Sequence, residues 1–385
     1  MNSNDKLRLE FQYKALRNTK AKPLTFYDDC NHANLGVPEI TKNYTLSSCY
    51  WALKHPITSM SLLRTLDNRL VLATGTFSSS AKVFVLSNQL PFIDETNIYE
   101  LRHDNESYKV LDVDVHPNFF NIETDNGKVV TAASDGLLRL WTCDIDKGNN
   151  QLCQTYDIGS KKVNRAKFMP FYNTLASITA EGHLKITDIA SMNNIMEMSK
   201  NDVELTSIAI HPSHNLIYTG DKLGYGLVWD LRVGKYICDF NNFVTYNPTD
   251  GSNEDSGPFS HTFKTSKIAN THRDRITRSD FDSQGVLLVT GSDDHFSFVW
   301  DLRKQKLVQQ IPAHTNRLVH SKFTTNSSIL TTASSDGIVK FWDWYSLTIL
   351  NEIDTNSPKT TCVAYDQYSN AIFTADLGKK LGIFA

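Results

Sequence analysis

The sequence is poor in the features that mark most chemical functions. No stretch approaches the roughly 20 apolar residues that a membrane-crossing helix needs. The opening residues, Met1-Asn2-Ser3-Asn4-Asp5-Lys6, are polar and lead into no apolar run of signal-peptide length, so no secretory leader is expected. Six cysteines (Cys30, Cys49, Cys143, Cys153, Cys238 and Cys362) are scattered without a Cys-x-x-Cys pair. That spread argues for reduced thiols in the cytosol or nucleus and against a disulfide framework. Charge of one sign is also missing. A net charge of −3 over 385 residues implies neither a nucleic-acid nor a membrane partner by itself. Gly220-Asp221-Lys222-Leu223-Gly224-Tyr225-Gly226 lacks the Gly-Lys-Ser/Thr of a phosphate loop, and His103, His116 and His211 have no metal-ligand spacing. Asp112 and Asp114 alternate on one strand and read as a solvated face rather than paired catalytic acids. Nothing assembles a nucleophile, a base and an oxyanion donor, so no enzyme, cofactor, metal or small-molecule substrate is expected.

What the sequence does contain is a repeat. Seven segments end a strand at equivalent places: Phe84, Trp141, Thr187, Trp229, Trp300, Trp342 and Phe384. The intervals from Thr187 to Trp229, Trp300 to Trp342 and Trp342 to Phe384 are each 42 residues. Asp230, Asp301 and Asp343 follow three of the tryptophans. Within a unit the pattern is a half-buried alternating strand (Arg317–Phe323), a short apolar strand (Ile329–Ala333), a tight Ser335-Asp336-Gly337 turn and a third strand closing at Trp342. Such runs read as an antiparallel meander. A period near forty closed by Trp-Asp is the pattern of a four-stranded propeller blade.

On these residues the chain resembles the WD-repeat β-propellers over roughly residues 42–385. The resemblance implies an all-β, seven-bladed propeller of four-stranded antiparallel blades. The chain ends one residue after the third strand of its last blade, so the missing outer strand is expected from Asn43–Cys49, closing the ring. Three regions depart from the repeat: a basic arm over 1–41 and insertions near 85–106 and 241–271. The last holds Phe243, Tyr246, Phe259 and Phe263.

The resemblance also assigns a structural network. His272, Thr290, Asp294 and Trp300 in blade five, and His314, Thr332, Asp336 and Trp342 in blade six, match the family's His–Ser/Thr–Asp–Trp hydrogen-bonded set. Two copies at blade spacing point to a fold staple, not a catalytic triad. Blade two carries Thr131, Asp135 and Trp141 but has Glu106 at the histidine spacing, so blades five and six are expected to be the stiffest.

In the family, the residue before the first buried position of each inner strand points toward the central opening. Here those residues are Pro56, Lys109, Lys162, Glu204, Arg275, Arg317 and Lys359, five of them cationic, with Arg165, Arg278 and His320 nearby. Such a ring suits a carboxylate-rich or phosphorylated peptide, or a nucleic-acid backbone. Trp229-Asp230-Leu231-Arg232 and Trp300-Asp301-Leu302-Arg303 are similar to the Trp-Asp-x-Arg of cullin-4 ubiquitin-ligase receptors, where the arginine meets the adaptor. The leading expectation is a non-catalytic scaffold subunit of a multiprotein complex, in the nucleus or alternatively the cytoplasm. A ligase substrate receptor is the alternative.

Overall fold

A computed structural model describes residues 46–384 apart from 51–53, 66–68, 87–97, 104–106, 118–125, 145–148, 170–172, 192, 241–270, 325–327 and 358. The basic arm, Glu106 and the four aromatics of the 241–271 stretch lie outside the described residues. Every regular element among those described is a β-strand, and the strands form seven four-stranded antiparallel sheets. Six sheets are built from consecutive strands. The seventh combines Thr360–Asp366, Ala371–Asp376 and Leu381–Phe384 with the N-terminal strand Leu46–Tyr50. Leu46 pairs with Phe384 and Tyr50 with Leu381, which closes the ring and removes an exposed edge. The end of the 85–106 stretch belongs to the repeat: Ile98–Arg102 is the outer strand of blade one, paired to Ser80–Phe84.

Burial grades outward through each blade. The second strands are short, apolar or small-residue runs buried along their whole length, as in Leu70–Thr76, Thr174–Thr179, Ile329–Ser334 and Ala371–Asp376. Outer strands such as Lys235–Asp239 and Lys306–Ile311 expose their first three residues or every second one. A blade therefore has two apolar faces and no core of its own. The hydrophobic clusters confirm it, because each one joins two neighbouring blades. One packs Val71 and Val83 of blade one on Val113 and Trp141 of blade two. Another packs Phe373 and Ile383 of blade seven on Ile57 and Phe84 of blade one. Ring closure is thus a requirement of burial, since opening it uncovers two such faces at about 25 cal/mol per Å².

All seven inner strands share one irregularity. Each carries a β-bulge after its first paired residue: at Ile57/Ser59, Val110/Asp112, Val163/Arg165, Leu205/Ser207, Ile276/Arg278, Leu318/His320 and Thr360/Cys362. A bulge bends the strand and re-aims one side chain. It fixes the residues lining the opening.

Candidate partner-binding face

The residue preceding each inner strand is held by an identical hydrogen bond. The carbonyls of Pro56, Lys109, Lys162, Glu204, Arg275, Arg317 and Lys359 accept from the backbone N–H of Phe77, Ser134, Ala180, Lys222, Asp293, Ser335 and Leu377, at 2.8–3.1 Å. These seven positions are therefore geometrically equivalent, at the same end of each blade's inner strand. A cavity of about 200 Å³ at that end is lined by Lys162, Arg165, Glu204, Arg275, Thr206 and Thr277, among others.

The cations of this ring are not in one state. Lys162 Nζ lies 3.0 Å from Glu204 Oε1, and Lys222 Nζ lies 3.8 Å from Glu204 Oε2. Arg165 pairs with Asp112 at 3.2 Å, and Arg275 with Asp293 at 2.8 Å. Lys109 Nζ sits 4.7 Å above the Phe77 ring, a cation–π contact. Arg278 donates to the Thr277 carbonyl of its own blade at 3.3 Å. Arg317 and Lys359 are exposed, and their side chains make no ion pair or hydrogen bond among the described residues. His320 brings no charge to the face. It is buried, and burial pushes its pKa down to about 3.

Asp112 and Asp114 are not a solvated face. Asp112 is 3 % exposed and accepts from Arg165 and from the Ala166 N–H of the next blade, while Asp114 accepts from Lys167 and the Phe168 N–H. Together they stitch blade two to blade three. Similar stitches run from Thr58 to the Val110 carbonyl, Asn164 to the Leu205 carbonyl and Thr206 to the Ile276 carbonyl, at 2.5–2.6 Å. Each is made by a bulged residue. Deeper in the channel, Asp280 is raised to about 6 by burial, against the opposing charges of Lys322 and Lys167.

The structural network is complete in blade five. His272 bonds Asp294 at 2.9 Å and Thr290 at 2.8 Å, and Trp300 Nε1 donates to Thr290 at 3.0 Å. Burial works against the Asp294 carboxylate, but the His272 contact together with the Arg273 and Phe296 N–H groups outweighs it and holds the group below its usual range. Blade six differs from the expectation. His314 and Trp342 meet Thr332 at 2.9 Å, yet Asp336 accepts instead from Ser334, Asn316 and the Ile338 N–H. Blade two differs in the other direction. His103 meets Thr131 at 3.0 Å and stacks on Trp141, and Asp135 binds Arg139. In blade three the tryptophan is replaced by Thr187, whose buried hydroxyl has no partner among the described residues.

At the opposite end of the channel, Arg232 is clasped by its own blade: Nε lies 3.0 Å from Asp230 Oδ1 and Nη2 lies 2.6 Å from Asp230 Oδ2. Arg303 leans on Asp301 more loosely, at 3.8 Å. Both arginines are about one-quarter exposed, the form expected of a guanidinium lying along its blade.

Known proteins match this architecture. The family described as Nucleolar protein 10-like, N-terminal domain, matches residues 195–384, from the outer strand of blade three through blade seven. A rice guanine nucleotide-binding protein subunit beta is 24 % identical over 188 residues, covering 47 % of this chain and 42 % of that protein. Pre-mRNA-processing factor 19 homolog 2 of Arabidopsis thaliana is 22 % identical over 182 residues, covering 47 % and 29 %. Polyadenylation factor subunit 2 of Candida albicans is 24 % identical over 140 residues, covering 36 % and 26 %. The matched stretch is less than half the length of each of these relatives. With seven four-stranded blades, Trp–Thr hydrogen bonds in blades two, four, five and six, and these likenesses, the chain belongs to the WD-repeat β-propellers.

Proposed function

We propose that this protein is a non-catalytic scaffold subunit of a nuclear multiprotein complex. It would hold an acidic or phosphorylated protein segment, or a nucleic acid, on the cationic end of its channel. The observation that carries the reading is the seven-fold backbone hydrogen bond, which presents five cations at equivalent, preorganised positions around one opening. Relatives described as a pre-mRNA-processing factor and a polyadenylation factor subunit, and the match to a nucleolar-protein domain, favour an RNA-processing assembly in the nucleus. The ligase-receptor alternative depends on Arg232 and Arg303 reaching an adaptor. It is weakened by the Asp230 clasp on the first.

Affinity purification of the tagged chain tests the reading. A defined set of stoichiometric nuclear partners is expected, lost when Arg275 and Arg317 are both changed to Glu without a change in melting temperature. Co-purification of a cullin and its adaptor, lost on reversal of Arg232 and Arg303 instead, would establish the alternative.

A further inference from the structure

The unequal state of the ring cations carries a sharper statement about where a partner docks. In blades two to five each ring cation already has a fixed neighbour: the Phe77 ring for Lys109, Glu204 for Lys162, Asp293 for Arg275. A partner carboxylate reaching Lys162 or Arg275 competes with an intramolecular one, and one reaching Lys109 competes with a ring face. Arg317 of blade six feels the Asp293 carboxylate from a distance but is in no ion pair with it, since Arg275 holds that group, and Lys359 of blade seven is exposed.

A third cation stands beside them. Lys379 is exposed at the tip of the hairpin between the second and third strands of blade seven, with φ of 69°. The same hairpin position is glycine in four other blades, Gly136, Gly182, Gly224 and Gly337, with φ of 81° to 94°, and His295 in blade five, with φ of 76°. A lysine in left-handed backbone is disfavoured where glycine is not, and such strain concentrates at functional positions. The three cations also hang from one hydrogen-bonded path. Ser335 N–H donates to the Arg317 carbonyl, the Thr360 N–H donates to the Ser335 carbonyl, and Leu377 N–H donates to the Lys359 carbonyl two residues before Lys379. Their relative positions are therefore set by backbone, not by side-chain pairing.

Resting on the scaffold reading above, we infer that the partner docks on the arc formed by Arg317, Lys359 and Lys379 across blades six and seven, and that it is a short acidic peptide segment of another protein. Carboxylates interrupt this face: Asp274 and Asp354 are exposed and Asp336 is half-buried. A continuous sugar-phosphate backbone, with a charge at every nucleotide, would be repelled at each of them. A peptide can place its acids opposite the three cations and neutral residues elsewhere. The exposed Asn316 amide beside Asp336 is a neutral neighbour for such a peptide.

The test uses the full chain and three labelled probes in fluorescence anisotropy at low and physiological salt: a short Glu-rich peptide, its phosphoserine counterpart and an oligouridylate of similar charge. Binding of either peptide, weakened at least about tenfold by R317A/K359A/K379G and little changed by K235A/K304A, two exposed lysines outside the ring positions, supports the proposal. The two peptides tell a carboxylate from a phosphoryl recognition element. K379G alone should weaken peptide binding while the melting temperature holds or rises, a combination that a purely structural lysine would not give. Loss of binding in K162A/R165A with the arc variant silent overturns the arc and leaves the cationic-face reading standing. Tighter binding of the oligouridylate, lost in the arc variant, overturns the peptide. Failure of all three probes to bind overturns the cationic-face reading itself.

Discussion

Blades two to five and blades six to seven handle the same kind of residue in opposite ways. In the first group inner-strand charges face partners on the adjoining blade, as Asp112 faces Arg165, Asp114 faces Lys167 and Lys162 faces Glu204. Bulged residues of blades three and four, Asn164 and Thr206, reach the next blade's backbone. In the second group the bulged residues are Val319, which has no donor, and Thr361, which bonds the Ala375 carbonyl of its own blade. Leu111 of blade two and Thr277 of blade five already behave in these two ways, so the contrast lies with blades three and four. There the cations Arg317 and Lys359 point to solvent. The difference teaches that one set of charges cannot both fasten the ring and bind a partner. Where a charge closes a seam it is neutralised, and where it stays available the seam is held by backbone and apolar contacts, as in the Thr360 N–H to Ser335 carbonyl bond and the Ala333, Val339, Val363 and Phe384 cluster.

The comparison is broken most forcefully at Asp112. Asp112→Ala should cost about 3–5 kcal/mol, because it strands Arg165 and the Ala166 N–H between two blades. Chemical denaturation checks it, and a loss below about 1 kcal/mol would mean that the stitch is ornamental. Acid should come next. His103 and His314 are pushed down to about 4 and His320 to about 3, from an ordinary 6.5, chiefly by burial. The unfolded chain takes up these protons near pH 6.5 and the folded chain only near 4 or 3. Stability is then whole above the higher value and falls as pH drops toward the lower, by up to roughly 3–5 kcal/mol per histidine once pH is below the folded value. Asp280, raised to about 6, works the other way, since the folded chain protonates it first and recovers part of the loss. Two of these three histidines belong to blade six, so hydrogen exchange at pH 5 should open blade six before blade three.

Smaller effects separate the two staples. Asp294→Ala removes the partner of His272 and two backbone bonds, and should cost about 2 kcal/mol. Asp336→Ala, which takes nothing directly from His314, should cost about 1 kcal/mol. Equal losses in thermal melts would restore the symmetry expected of blades five and six. The smallest effect belongs to the open arc: Arg317→Ala and Lys359→Ala should each change stability by no more than about 0.5 kcal/mol.

Much of this was legible in the sequence, for physical reasons. The strand ends were readable because a buried indole N–H must find an acceptor, and Thr131, Thr219, Thr290 and Thr332 each stand ten residues before their tryptophan. Ring closure followed from counting strands in the last blade. Blade two was misjudged because its histidine was sought at a fixed interval. His103 lies three residues earlier than Glu106, although Thr131 and Trp141 were waiting for it. The ring positions were readable from the repeat, but the state of each cation was not. The acid facing Lys162 lies 42 residues away and the one facing Arg165 lies 53 away, on neighbouring blades. Only closure of the ring brings them together.

The strand that completes the last blade has a consequence for how the molecule is made. Leu46–Tyr50 leaves the ribosome first among the described strands, and its partner Leu381–Phe384 leaves last. At roughly 5–20 residues per second, the intervening chain takes on the order of tens of seconds to synthesise. Through that interval the first strand has no mate and the nascent ring has two uncovered apolar flanks. Each new molecule therefore passes through a C-shaped intermediate during translation, the stage at which a chaperone or an early assembly partner would have most to protect.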